Sequence, residues 1–484
     1  MDGLVGAQVG PATGRRLRKA DRIAIVGAGP AGIHLAHLLN ARRYSHVTVF
    51  ERENRVGGRV LSVEHKGFAH EMGACYIPDH YDEYRRLVRT YRVGTLGAPK
   101  SYHRSIYSSE FDGAIREYPV ADYSGKLMTA LEKAGLLRPV PRLGRILQLV
   151  GALRRYFRLR RRLLGSNDVY PFGTVPAPQA AAELARPFLE VARQHRLEVM
   201  LPYFRLAQSA QGYGVLETIP TFYVLLWNVP QIVMAFVKNR FGINRRPIYE
   251  MLDVGNQKAF ARIAEADRLD VRTGVSVTHV ARRDGGVRLS FADGPGQDFD
   301  QVVFTTDLPE AVQSLDDATE FERTAANSLT SSTFVTTLFE AERWPVAAGM
   351  AYVIDPFQPG GAFTLSGLRD IRFRFPEAGG PGCAAVAYQY ADRPFGPADP
   401  AEFERRFASE MNDIGFRGLR IVCRHVWPYF FRFTSSAVAQ GVPWRLFQEQ
   451  GMRNTWYAGS SACFESINDV MRYNLLLVER YAET

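Results

Sequence analysis

The stretch Arg22-Ile-Ala-Ile-Val26, Gly27-Ala-Gly-Pro-Ala-Gly32 and Ile33 onward reads as strand, glycine turn and helix. Gly27 permits the tight turn, Gly29 lets backbone N–H groups approach a pyrophosphate, and Gly32 lets the helix pack on the strand. The N-terminus of the helix that follows supplies a positive dipole end and unsatisfied N–H groups for an anion. A second strand, Val47 to Phe50, ends at Glu51, about twenty residues beyond the turn, where a carboxylate can accept both hydroxyls of an adenosine ribose. These spacings predict a Rossmann-like dinucleotide-binding unit in an α/β fold.

The chain continues Arg52-Glu-Asn-Arg-Val-Gly57-Gly58-Arg59. A second glycine pair followed by a cation suits a backbone that returns to the pyrophosphate with a charge beside it, which favours FAD over NAD. Val56-Gly-Gly-Arg59 and Glu71-Met72-Gly73-Ala74 resemble the flavin-containing amine oxidase superfamily. Within it the chain is most similar to the bacterial polyunsaturated fatty acid isomerases, through these motifs, Trp427-Pro-Tyr-Phe430 and Arg453-Asn-Thr-Trp-Tyr-Ala-Gly459. The resemblance spans most of the chain beyond residue 21. It is specific in the flavin motifs and weak in the substrate part.

The resemblance implies a Rossmann-like FAD-binding domain of the glutathione reductase-2 type with a mixed helical and β substrate domain. It implies FAD held non-covalently by Gly27, Gly29, Pro30, Ala31, Gly32, Glu51, Arg52, Gly58 and Arg59. Met72, Gly73 and Ala74 would pass the flavin ring, and the Val275 backbone would touch the adenine. Gly459, Ser460, Asn468 and Val470 would form the C-terminal flavin turn. Arg104 falls near the family's carboxylate-binding arginine, beside His103. Gln211, Tyr213, Tyr223 and Phe236 are the substrate candidates, with Phe222 and Trp227 as further tunnel aromatics. Two departures stand out: Gln211 replaces the family's phenylalanine over the flavin, and Ser460 replaces the acid after the C-terminal Ala-Gly.

At 484 residues the chain exceeds one small core. The boundaries expected are a flexible basic tail over 1–20, FAD-binding segments at 21–81, 251–320 and 431–484, a helical substrate segment at 82–250 and a β part at 321–430. The net charge of +10 allows an anionic partner, but without a zinc-finger, RNP or homeodomain pattern nucleic acid is not expected. Cys75, Cys383, Cys423 and Cys463 are widely spaced, which argues against a metal site or a disulfide framework. His34 and His37 are expected on the surface of the first helix. No apolar leader is evident, so a cytoplasmic location is expected, with possible membrane association.

Arg142 to Leu164 has apolar residues near helical spacing and a run of arginines in its second half, the composition of a basic amphipathic helix able to lie on an anionic membrane. Ile219 to Val237 nearly reaches spanning length, but Asn228, Pro230 and Gln231 favour buried helices lining an apolar tunnel.

The chain shows no Ser/His/Asp set and no convincing pair of carboxylates, which leaves the hard chemistry to the flavin. The resemblance implies that a hydride leaves an allylic or bis-allylic carbon for flavin N5 and returns two carbons away. The alternative is an FAD-dependent oxidase or dehydrogenase of a hydrophobic molecule, amine oxidase-like or desaturase. A flavin-stabilised, membrane-associated binding protein without turnover is a third reading. Ser331 to Glu340 contains no lysine, where oxygen-using amine oxidases often carry one, and this disfavours an oxidase.

Overall fold

A computed structural model of the chain describes residues 14–97, 103–109, 114–166, 170–243, 248–345, 349–354, 364–372, 384–397 and 399–483. A parallel sheet is built from β1 (Ile23–Val26), β2 (Val47–Glu51), β3 (Asp270–Thr273), β4 (Gln301–Phe304) and β5 (Thr455–Tyr457), in the order β3-β2-β1-β4-β5. Its central strands are apolar on both faces: Ile23, Ala24, Ile25, Val49, Val302 and Val303 are all fully buried. A parallel sheet covered by helices requires that pattern. Helix α1 (Pro30–Ala41) follows β1 directly, and its Ala31 carbonyl accepts from Asn474 of the C-terminal helix Ile467–Tyr481 at 2.8 Å.

A seven-stranded sheet carries the second layer, in the order 420–433, 329–340, 384–391, 364–372, 349–354, 103–108 and 116–119. The strand Leu329–Glu340 is buried along nearly its whole length between antiparallel neighbours. The helical part contains α2 (Arg142–Leu164), α3 (Leu201–Ala207), α4 (Thr221–Trp227) and α5 (Pro230–Arg240).

The apolar run Ile219 to Val237 divides at Asn228 into α4 and α5, bent by 65°. Asn228 is fully buried, donates to Gln208 at 3.0 Å and to the Val224 carbonyl, and accepts from Tyr203 at 2.9 Å. Pro230, with no N–H to lose, restarts the helix. Among the described residues no single helix is long and apolar enough to cross a membrane, and α4 with α5 would pass as a bent pair by length and composition only.

Two expectations are corrected. Residues 14–20 are not a free tail: Leu17 is fully buried and pairs with Ala482, and Arg15 bonds Asp21 at 2.5 Å. Residues 1–13 of that expected tail lie outside the described residues. His34 and His37 are buried, because α1 is covered by the C-terminal helix on one side and by residues 82–91 and 256–267 on another. Burial pushes His34 down, and its Nε2 lies 3.2 Å from Glu83, which takes its cation from Arg86.

Candidate flavin site and substrate cleft

A cleft opens where β1, β2 and β4 end, lined there by Gly27, Gly29, Pro30, Ala31, Glu51, Thr305 and Thr306. The Glu51 carboxylate accepts the Ala28 N–H at 2.8 Å and the Glu53 N–H at 2.9 Å, which aims it across the turn. A Cβ at Gly32 would stand 1.9 Å from the Gly27 carbonyl oxygen, so only glycine lets α1 begin this close to β1. The Gly57 N–H donates to the Ala28 carbonyl at 2.9 Å, and a Cβ on Gly58 would lie 3.1 Å from Gly29 Cα. Two glycine segments thus form one cradle that a side chain would fill, beside a ribose acceptor and a cation. These residues fit the diphosphate and ribose of FAD.

Arg59 is the charge at the centre. Its two Nη atoms donate to Asp307 at 2.9 Å each, Nε donates to Glu465 at 2.9 Å, and Nη2 reaches Ser460 Oγ at 2.5 Å. Burial opposes its charge, but the two carboxylates outweigh burial and hold it above its ordinary range. Burial pushes Glu465 up, and Arg59 pulls it back. Glu465 also accepts the N–H of Phe430, a bulky residue held at φ 49° within its strand. Glu465, five residues after Ser460, is thus the carboxylate that meets Arg59 beside it.

The segment Glu71 to Ala74 is fixed from three sides. The Glu71 carboxylate accepts the N–H of Asn256, which opens the helix Asn256–Ala266, and the hydroxyl of Ser62, both at 2.7 Å. Its carbonyl accepts from Tyr388 at 2.6 Å. The Met72 carbonyl accepts from Trp427 Nε1 at 2.7 Å and from Thr336 Oγ1 at 2.9 Å. A hydroxyl, not an amine, thus meets this segment from the lysine-free strand.

Beyond this segment the cleft is aromatic. Tyr213 stacks on Tyr429 at 5.9 Å and packs against Trp227 at 4.9 Å, and Phe334 lies 4.8 Å from Tyr429. Gly212 and Gly214, at φ 80° and 84°, bracket Tyr213 in left-handed backbone that brings its ring to the cleft. Gln211 also lines this part. Its side-chain amide has no hydrogen-bond partner among the described residues, while its carbonyl accepts from Tyr429 at 3.4 Å.

Of the expected cofactor residues, Gly27, Gly29, Pro30, Ala31, Glu51, Arg52, Gly58, Arg59, Gly73, Ala74, Val275, Gly459, Ser460 and Val470 line the cleft. Arg52 does so while paired with Glu310 at 2.5 Å. The Val275 N–H donates to the Glu51 carbonyl at 2.8 Å. Gly32, Met72 and Asn468 do not line it: Gly32 serves packing, Met72 is core, and Asn468 is buried in the C-terminal helix.

Of the substrate candidates, Gln211 and Tyr213 line the cleft. Tyr223 does not. Its hydroxyl accepts the Phe433 N–H at 2.6 Å, and its ring is spent on Phe430. Phe236 sits one layer behind, 6.0 Å from Tyr249. Phe222 packs on Trp444. Arg104 and His103 lie on the strand His103–Ser108, and their side chains lie outside the described residues, as does Cys383.

Among the residues not anticipated are Asp307, Glu465, Phe334 and Tyr249. For Asp307 one signal was available, an aspartate just before Leu308-Pro309 at a helix start. Cys463 donates to the Gly459 carbonyl at 3.1 Å and is buried, in keeping with a packing role. Among the described residues no cluster could hold a metal ion.

Residues 30–471 match the family model for flavin containing amine oxidoreductases. A polyenoic fatty acid isomerase of Ptilota filicina is 21% identical over 503 residues, covering 93% of each chain. An L-amino-acid oxidase of Mus musculus is 30% identical over 114 residues, 23% of this chain and 18% of the oxidase. The crystal structure of a CLA-producing fatty acid isomerase from P. acnes superposes with a TM-score of 0.76 at 22% identity, covering 96% of this chain and 99% of that one. A putrescine oxidase superposes at 0.64 with 14% identity, covering 96% and 98%.

Proposed function

Because the chain belongs to the flavin containing amine oxidoreductase family, and is an FAD-dependent isomerase or oxidoreductase, we propose that it shifts a double bond in an unsaturated fatty acid or a similar lipid. One observation carries this reading. Beyond the Glu71 to Ala74 segment the cleft is walled by Tyr213, Trp227, Phe334, Trp427 and Tyr429, with the amide of Gln211 beside them. Every charged side chain lining the cleft has a partner on the protein: Arg52 with Glu310, Glu53 with Arg55, Arg59 with Asp307 and Glu465, and Glu51 with two N–H groups. An apolar acyl chain suits such a wall.

Bound FAD supplies a site that can accept a hydride and give it back. In the proposed reaction a hydride leaves an allylic carbon and returns two carbons away. Substrate and product are then isomers, and no acceptor is consumed. The chain's own groups position and enclose. Arg59 and the two glycine segments would hold the diphosphate. Thr336 and Trp427 fix the Met72 carbonyl and so the segment that would pass the ring. The faces of Tyr213, Tyr429 and Trp427 exclude water and favour positive charge developing on the lipid. Arg104 is proposed for the carboxylate. The amide of Gln211 would contact the chain close to the reacting carbons.

The test is an anaerobic absorbance assay with linoleate, following the conjugated diene and the flavin band together. Diene growth with the flavin still oxidised is the expected outcome. Lasting flavin bleaching that reverses with oxygen would make the protein an oxidase or dehydrogenase instead.

A further inference from the structure

Helix α2 has two halves with different fates. In its second half Leu153, Tyr156, Leu159 and Leu163 are buried. Three arginines there tie the helix down: Arg155 donates to the His195 and Arg196 carbonyls at 2.9 and 2.7 Å, Arg160 to the Leu225 carbonyl at 2.9 Å, and Arg162 to Glu183 at 2.7 Å. In the first half Arg145 is held by Glu132 and Gln148. The helix is therefore fixed along its length.

Its outward side is a single stripe. Leu143, Ile146, Leu147 and Val150 are 70%, 37%, 64% and 41% exposed. The stripe then continues in Arg154, Arg158 and Arg161, all exposed and all without an ion-pair partner among the described residues. At 100° per residue these seven side chains fall within an arc of about 120° and along about 27 Å of helix. One end of the stripe is apolar and the other cationic. The sequence suggested that the whole helix was amphipathic. Only the first half leaves its large apolar residues outside.

We propose that this stripe docks the protein on an anionic lipid bilayer, with the leucine end at the acyl boundary and Arg154, Arg158 and Arg161 at the phosphates. A bilayer presents both chemistries side by side, and the chain's net charge of +10 favours an anionic one. A second copy fits less well. A two-fold axis through the middle of the stripe would set the arginines of one copy against the leucines of the other.

The buried face of the same helix is joined to the cleft by packing. Tyr156 of α2 touches Phe204 of α3 at 5.3 Å, the adjacent Tyr203 touches Phe236 of α5 at 5.1 Å, and Phe236 backs Tyr249 of the cleft wall. The purpose assigned to the docking, access to membrane-derived lipid, rests on the lipid reading above. The docking itself does not.

The experiment is co-sedimentation of the flavin-loaded full chain with vesicles of phosphatidylcholine alone or mixed with phosphatidylglycerol, at low and high salt. Anionic vesicles should carry the protein down, and salt should release it. Arg154→Gln/Arg158→Gln/Arg161→Gln should bind on the order of a hundredfold more weakly. Leu143→Glu/Leu147→Glu should lose vesicle binding while keeping its flavin, because both side chains are exposed. No binding to anionic vesicles, equal binding to neutral ones, or variants that bind like the parent would overturn the proposal. So would a self-associated parent that the leucine variant disperses, since that assigns the stripe to a second copy. Vesicle binding without isomerisation of any lipid would leave the docking intact and remove the proposed reaction.

Discussion

Gln211 is the residue at which this chain departs most from an apolar channel. It shares the cleft with Tyr213, Trp227 and Phe334, and its amide has no protein partner among the described residues. Covering a free amide with bare hydrocarbon leaves its hydrogen bonds unmade, at a cost of about 1–3 kcal/mol. A substrate with an oxygen near the reacting carbons would avoid that cost. Gln211→Leu should therefore lower KM for a plain unsaturated acid by about tenfold and raise it for a hydroxylated analogue. Steady-state kinetics on the two acids measures the ratio, and an unchanged ratio would mean that the amide does not meet the substrate. Gln211 and Tyr213 were legible only through the resemblance to the isomerases, which the Gly212-Tyr213-Gly214 segment carries, and both line the cleft. The pairing of Asp307 and Glu465 with Arg59 was not legible, although Asp307 stands where a helix-start aspartate is expected. They meet Arg59 across 248 and 406 residues, and no local pattern records such a meeting. Tyr223 and Phe236 do not line this cleft: an aromatic at helical spacing announces burial, but not whether it faces a cavity or a neighbouring helix.

At the scale of elements, helices and parallel strands were legible from apolar runs and turn glycines, and α2 spans Arg142–Leu164 as the spacing predicts. The packing of α1 was not legible, because His34 and His37 look polar until the covering helices are known. The helix Glu320–Asn327 shows how elements are tied once they fold. Thr319 and Glu322 cap it reciprocally, and Glu322 also accepts from Arg282 at 2.6 Å and from Tyr457 at 2.6 Å. One carboxylate thus joins this helix to the strand Val277–Arg283 and to β5. Burial alone would raise Glu322, but Arg282, Tyr457 and the Thr319 N–H hold it at about 2. A carboxyl depressed on folding stabilises above its unfolded value, near 4.3, and that stability is lost as pH falls towards 2. Glu322→Gln should cost about 3 kcal/mol at neutral pH. It should also flatten the acid limb of stability between about pH 5 and 2. Urea melts across that range measure both effects. A variant whose acid limb matched the parent's would show that Glu322 does not carry the dependence.

At the scale of the whole molecule, the parallel sheet takes its strands from residues 23–51, 270–304 and 455–457, and the glycine-rich end of the cleft is lined by residues in and just after them, at 26–81, 275–310 and 459–470, with 211–249, 334 and 427–429 closing the other end. The remaining chain loops out twice between them, so the cofactor site exists only when distant segments have met. One apolar cluster also runs without a break from Ile25 in the sheet through Tyr156 and Phe204 in the helical part to Trp456 and Tyr481. A shared core couples the parts, so the protein should unfold as one unit rather than as separable domains. FAD bridging the three regions stabilises only the assembled state. With FAD at a thousandfold excess over its Kd, mass action contributes about 4 kcal/mol. For a chain of this length that should raise Tm on the order of 5 °C. Scanning calorimetry of the flavin-free protein with and without added FAD should show a single transition that moves up as a whole. Two peaks, of which FAD moves only one, would mean that the continuous core does not couple the sheet to the helical part. A single peak that FAD leaves in place would mean that the glycine cradle and Arg59 do not hold the cofactor.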